Sequence, residues 1–597
     1  MPKPYYDDEV LGKAFDPKLT RKMLVFLRPY KSQLVIATLT VLMTSGLGLI
    51  IPKLWKAAID EGISAKNLRV LEIVAILYVV TYLVRWLASY WQTLSVSRLG
   101  QSVLHDIRHR LFSHIQNMSL SFFDRREVGR LIARLTSDVE AVNELLTSGT
   151  LSIIADVGML IGIIIILVRE NLQLSLMTFS LVPFMWIVTS VFRTKARIAY
   201  RDVRQKVATV TATVAENVSG VRVVKSFSRE KENLRRFKQV NLENRRAFMN
   251  AARVHATFVP IISVLSMVAV CMVYWYGGLR VAAGVLTIGI LVEFVQYMNQ
   301  FFQPIRDLSN LYHTMQSAMA GAERIFEILE TKPDVYDKPN CIEMPPIRGD
   351  VEFRHVNFAY DETLVLKDVS FYVKAGQTVA FVGPTGAGKT TIINLLSRQY
   401  DVTDGAILID GIDIRSVSMR SLRKQMGVVL QDPFLFPGSI KENIRYGRLD
   451  ATDQEVEAAA KTVGAHDFII EMPRGYDTDV REGGSKLSAG QKQLISFARA
   501  LLADPRILIL DEATSSVDTQ TEMLIQQALR QLLKGRTSFV IAHRLSTIIE
   551  ADIIMVIEDG RVQEVGTHEE LLSLGGLYKR LYDMQFEEIV AEEEIKS

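Results

Sequence analysis

Six runs of about 20 predominantly apolar residues lie between Gln33 and Phe302, and a helix of that length crosses roughly 30 Å of hydrocarbon at 1.5 Å per residue. They fall at Gln33–Leu54, Leu71–Leu94, Leu151–Val168, Leu174–Phe192, Phe258–Tyr276 and Ala283–Phe302. An even number of spans returns the chain to the side where it began. Beyond Thr331 the pattern changes, so 49% hydrophobic and 23% charged residues over 597 positions read as a very apolar half joined to an ordinary soluble half. The net charge of +3 leaves no part basic enough to be a nucleic-acid footprint, and no nucleic-acid partner is expected. Two cysteines, Cys271 and Cys341, exclude a disulfide scaffold.

The N-terminal stretch is charged throughout and lacks an apolar core followed by a small-residue cleavage site, so the first span is expected to be the anchor itself. Lys18, Arg21, Lys22, Arg28 and Lys31 precede that span, and Arg193, Lys195, Arg197, Arg201, Arg204 and Lys206 follow the fourth. The turn between spans three and four offers little beyond Arg169. This bias puts both termini in the cytoplasm and the chain in the cell membrane; Lys53, Lys56 and Lys66 weaken the rule without reversing it.

The connections after spans two and four run about 50 to 60 residues, long for structureless loops. No proline lies between Pro183 and Pro260, and Gly220 is the only glycine between Gly162 and Gly277. Each span should therefore continue as a helix roughly 25 residues, or about 40 Å, beyond the bilayer. Turn chemistry is confined to Phe122–Gly129 and Glu216–Val221. Two tips far from the membrane read as docking elements or, more plainly, as the ends of solvated stalks.

Along the sixth span, Glu293, Gln296, Gln300, Gln303, Asp307 and Asn310 recur at alternating spacings of three and four, one face of a helix otherwise rich in Phe, Met and Leu. Such a face is costly against lipid. It reads either as one wall of a hydrated substrate cavity, with Glu293, Gln296 and Gln300 as the candidate lining, or as interhelical hydrogen bonds with Glu293 paired to a cation such as Arg85. Asp156 in the third span carries the same two readings.

The soluble half alternates short β-rich runs with helical patterns, as a parallel sheet with crossovers requires. The run Thr378–Gly383 reads as a buried strand and the residues after Thr390 as a helix. Between them stand Gly383, Pro384, Thr385, Gly386, Ala387, Gly388, Lys389 and Thr390, followed by Thr391, matching G-x-x-x-x-G-K-[ST] in the context that confirms it. Glycines let backbone N–H groups curl around phosphate oxygens, and the helix N-terminus adds positive potential. Lys389 supplies a point charge for the β- and γ-phosphates, and Thr390 a hydroxyl for Mg²⁺. A second apolar strand ends in Asp511 and Glu512. Asp511 suits the metal shell, and Glu512 is placed to orient or deprotonate the attacking water.

The residues Leu487, Ser488, Ala489, Gly490 and Gln491, upstream of the Asp511 strand, resemble the signature motif of the ATP-binding cassette (ABC) family. Gln431 resembles its Q-loop glutamine, a further metal contact, Asp518 its D-loop, His543 its switch histidine and Tyr360 the aromatic that stacks on adenine. The elements occur in the family's order, and the six-span half is similar to exporter half-transporters of the multidrug and lipid-flipping type. The fold implied is an α-helical six-span transmembrane domain followed by an α/β P-loop nucleotide-binding domain. The divisions are a cytoplasmic arm over 1–32, the spans and their extensions over 33–325, a linker over 326–348, the ATPase over 349–588 and an acidic tail over 589–597.

The resemblance implies that two cassettes pack head to tail, each ATP lying between the phosphate loop of one and the signature of the other. Ser488 and Gly490 would contact the γ-phosphate bound by the partner, with His543 holding it from the first side and the tips acting as coupling elements near Gln431. Hydrolysis would drive export or flipping of amphipathic drugs, lipids or peptides by alternating access. Ala489 stands where the family most often has glycine, and the preceding residues read REGGSK rather than the common GERG type. Because Lys389, Glu512 and His543 are all intact, a homodimer is favoured over the catalytic member of a heterodimer. A gated channel on the same scaffold would prefer a degraded catalytic glutamate and a regulatory insertion, and neither is present.

Overall fold

The computed structural model describes residues 16–484, 486–511, 519–542 and 545–584. The chain divides into two compact units, one comprising the chain up to Gln116 with Val128–Thr331, the other Asn117–Glu127 with the chain from Lys332 onward. The eleven-residue excursion at the first tip therefore belongs with the soluble unit.

The first unit is helical. Its long elements are α1 (Pro17–Ser64), α2 (Leu68–Gln116), α4 (Val128–Glu170), α5 (Leu172–Ser219), α7 (Glu230–Ala282) and α8 (Ile288–Glu330). The short tip helices are α3 (Leu120–Asp124) and α6 (Val221–Ser226). The announced turns are found at 125–127 and at Gly220, but each tip also turns outside the expected ranges, at 117–119 and at 227–229, where no glycine or proline stands; α2 runs 49 residues, about 70 Å, well beyond a bilayer. Helix starts are fixed by side-chain caps: Asp16 accepts from Lys18 N at 2.8 Å, Asn171 from Leu174 N at 2.9 Å and Thr287 from Ile290 N at 3.3 Å. Ile163, Leu167, Leu174, Ile262, Phe294 and Tyr297 pack in a shared interior, while Leu39, Ile76, Trp86, Trp186 and Met267 face outward. Large apolar side chains turned out over that many helices suit lipid rather than water.

Among the described residues, five helices are long and apolar enough to span a membrane, one fewer than the six expected. The helix that does not qualify is α8. It starts at Ile288 rather than near Ala283, because Thr287 caps it, and its polar stripe dilutes the apolar run that remains.

The second unit contains two sheets. The six-stranded sheet has the order β10-β9-β3-β8-β7-β6, from strands β3 (Thr378–Val382), β6 (Met426–Val429), β7 (Ile507–Asp511), β8 (Thr537–Ile541), β9 (Ile553–Glu558) and β10 (Arg561–Gly566). Its neighbours are parallel except at β9-β10. The all-parallel expectation fails for the rest: β1 (Val351–Ala359), β2 (Leu364–Val373), β4 (Asp404–Ile409) and β5 (Ile412–Asp413) form a separate antiparallel sheet of order β2-β1-β4-β5. The burial patterns give the reason. Strands β3, β7 and β8 are buried almost continuously, as strands covered on both faces must be, whereas β1 and β2 alternate between buried and open positions. Phe353, Val369, Phe381, Ile509, Phe539 and Ile557 fill the core these sheets share.

Candidate nucleotide-binding site

Strand β3 delivers the chain into a loop that only glycine fits at two positions. Gly383 has φ +155°, and a Cβ there would stand 2.1 Å from the Ile557 carbonyl oxygen; at Gly388, φ +107°, it would stand 2.7 Å from a Leu366 methyl. The loop feeds α9 (Lys389–Leu396), whose first internal bond runs from Ile392 N to Gly388 O at 3.1 Å. The amides of Lys389, Thr390 and Thr391 therefore precede the helical ladder and face the loop, an anion-binding arrangement.

Lys389 is only 8% exposed, and its Nζ donates to the carbonyls of Gly383 at 2.7 Å and Pro384 at 3.0 Å. Burial pushes its pKa down, opposed by the Asp511 carboxylate. A buried ammonium held on neutral carbonyls fits a polyphosphate. Strand register sets Asp511 on β7 level with Ile541 on β8, which is level with Phe381 on β3, so Asp511 sits at the same end of the sheet as the loop. Gln431 is exposed just past β6, and Thr390 is exposed at the head of α9. A hydroxyl, an amide oxygen and one carboxylate are hard oxygen donors of the kind that suits Mg²⁺ alongside phosphate.

Tyr360 follows β1 directly. Its hydroxyl lies 3.2 Å from Thr391 Oγ1, and its ring, 38% exposed, meets Tyr400 edge-on with centroids 5.1 Å apart. The structure thus brings Tyr360, the phosphate loop and α9 together. Ser488 is the N-cap of α10 (Ala489–Leu502): its hydroxyl accepts from Gln491 N at 3.2 Å while Gln491 Oε1 accepts from Ser488 N at 3.0 Å. This reciprocal box was missed in the sequence, although Ser-x-x-Gln before an apolar run signals it. Leu487 and Gly490 are buried, Ala489 is exposed, and no hydrogen bond among the described residues joins this segment to the phosphate loop. Glu512, Asp518 and His543 lie outside the described residues.

Residues 34–305 match the description "ABC transporter transmembrane region" and residues 366–515 match "ABC transporter". The ABC transporter ATP-binding protein YknV of Bacillus subtilis is 43% identical over 589 residues, 98% of this chain and 97% of that protein. The chain belongs to the ABC transporter family. An ATP-dependent lipid A-core flippase of Syntrophus aciditrophicus is 38% identical to this ABC transporter over 96% of each. A solved structure of a bacterial Atm1-family ABC exporter with ATP bound superposes with a TM-score of 0.77 at 32% identity, covering 93% of this chain and 98% of that one. The ABC chain is thus an export-type half-transporter: a multi-pass membrane protein that binds nucleotide and couples its hydrolysis to transport.

In the transmembrane part of this half-transporter, Glu293 is fully buried with neither carboxylate oxygen hydrogen-bonded. The nearest cation is Lys56, 3.7 Å away, which donates to Glu170 at 2.5 Å; the pairing with Arg85 weighed from sequence is replaced by this one. Gln296 and Gln300 are half-buried on the same helix, and Gln300 Oε1 is buried without a hydrogen bond.

Proposed function

We propose that two copies of this chain form the working exporter and move amphipathic molecules, lipids or drugs, out of the cytoplasmic leaflet, with both termini and the soluble unit cytoplasmic. The observation that carries the reading is that one chain holds a complete phosphate-binding half, with Lys389 poised on loop carbonyls, and a capped signature helix not bonded to it. Each needs a counterpart, and a second copy supplies both. Tyr360 receives the base, while Gly383 to Thr391 and Lys389 hold the phosphates. Thr390, Asp511 and Gln431 hold Mg²⁺, which would neutralise phosphate charge. Glu512 handles the attacking water, His543 steadies the γ-phosphate, and Asp518 contacts the partner cassette. Ser488 and Gly490 face the partner's nucleotide, and Glu293, Gln296 and Gln300 line the substrate path. The divisions at 1–32, 33–325, 326–348, 349–588 and 589–597 follow from these roles, except that residues 117–127 pack with the ATPase. That the lipid A-core flippase relative acts on a lipid supports a substrate that enters from the bilayer.

The test is reconstitution of the purified chain alone in liposomes, with a fluorescent phospholipid and a cationic amphipathic dye followed across the membrane. ATP-dependent movement of either, lost in Lys389→Ala, is expected from a dimer of this chain. A monomer, or a dimer that turns over no ATP, would favour a heterodimer instead.

A further inference from the structure

The segment Asn117–Glu127 reaches the aromatic side of the nucleotide site by contacts that no motif announces. The Tyr400 hydroxyl donates to the Asp124 carboxylate at the end of α3. Tyr400 is buried, and burial followed by the Asp124 bond drives its pKa upward, as expected for a phenol held as a donor to a carboxylate. Its ring stands perpendicular to that of Tyr360 at 5.1 Å, and Phe358 closes the cluster at 4.8 Å from Tyr360 and 5.6 Å from Tyr400. Arg125 Nη2 donates to the Tyr360 carbonyl at 3.1 Å and to Asp361 Oδ1 at 3.3 Å. The tip is itself fixed: Ser121 Oγ donates to Asp334 Oδ2 at 2.5 Å, Asp334 N to Ser119 Oγ at 3.2 Å, and Leu120 packs against the sheet core.

We propose that Asp124 is a positioning residue for the nucleotide base, acting through Tyr400 to hold the Tyr360 ring in its receiving orientation. A partly exposed tyrosine must give up rotamer freedom when a base stacks on it, and a ring already braced loses less. Tyr400 is the brace and Asp124 fixes it, since a phenol bonded to a charged acceptor is held in one rotamer. The inference rests on the reading of Tyr360 as the base platform.

The full-length protein in lipid is assayed for its ATP KM and kcat, and for inhibition by inorganic tripolyphosphate, which engages the phosphate loop but has no base. Asp124→Ala is expected to raise the ATP KM about three- to tenfold, the loss of roughly one hydrogen bond, with a smaller change in kcat. Tyr400→Phe should match it, the double variant should be no worse, and Asp124→Asn, which keeps an acceptor, should restore most of the loss. The tripolyphosphate inhibition constant should stay within about twofold. An unchanged ATP KM in Asp124→Ala would overturn the proposal, as would a parallel rise for tripolyphosphate, which marks general damage to the phosphate loop. Tyr360→Ala separates the two levels: if it leaves the ATP KM unchanged, the platform reading fails and this inference with it, whereas a rise in Tyr360→Ala alone overturns only the role of Asp124.

Discussion

Lys389 concentrates the conflict between folding and function in one side chain. Its ammonium is buried against neutral carbonyls, and burial lowers its pKa below that of an unfolded lysine. The folded chain therefore binds this proton less tightly than the unfolded chain. The resulting cost is present in full below the folded-state pKa and is relieved as pH rises from that value towards the ordinary lysine pKa. Lys389→Met is expected to raise the thermal transition of the nucleotide-free protein at neutral pH, to raise it less in strongly alkaline buffer, and to weaken ATP binding by at least about tenfold. Differential scanning fluorimetry at two pH values and nucleotide titration check both directions. A lowered transition at neutral pH would mean that the carbonyl contacts outweigh desolvation.

At the scale of elements, the phosphate loop and the two tips obey different physics. The loop is a steric solution: Gly383→Ala would drive a methyl into the Ile557 carbonyl at a left-handed φ, so soluble expression and nucleotide binding should both fall, with a cost of about 3 kcal/mol or more read from chemical denaturation. The second tip is an exposure problem. Val218, Val223 and Phe227 stand open, Phe227 at 72%, too apolar for a bare stalk end. Phe227→Asp should leave nucleotide affinity near its original value and abolish any stimulation of turnover by added phospholipid or amphipathic dye; retained stimulation would make the tip a stalk after all. The phosphate loop and the break at Gly220 were legible because glycine marks turns regardless of what surrounds it, whereas the turns at 117–119 and 227–229 carry neither glycine nor proline and were not. The antiparallel sheet was not, since β1 and β2 read as strands either way and only their pairing sets direction. Nor was the Tyr400–Asp124 bond, which joins residues 276 positions apart. Lys56 rather than Arg85 beside Glu293 likewise depends on which helix faces which, a property of packing that periodicity alone does not carry.

For the whole molecule, the apolar runs and the glycine-lysine loop sufficed to read a membrane ATPase from the chain; the signature segment and the motifs around it placed it in the ABC family, and the six-span half on the same chain among exporters. Among the described residues no hydrogen bond joins the signature segment to the phosphate loop, and the proposal is that a second copy closes the site. The direct measurement is the amount of ATP retained, and the mass of the complex that retains it, for full-length Glu512→Gln protein in lipid, with and without Ser488→Arg. The expected result is turnover reduced at least about a hundredfold, two chains per complex holding one ATP each, and loss of retained ATP on adding Ser488→Arg although every phosphate loop is intact. ATP held by single chains, or held equally well when Ser488 is replaced, would contradict it.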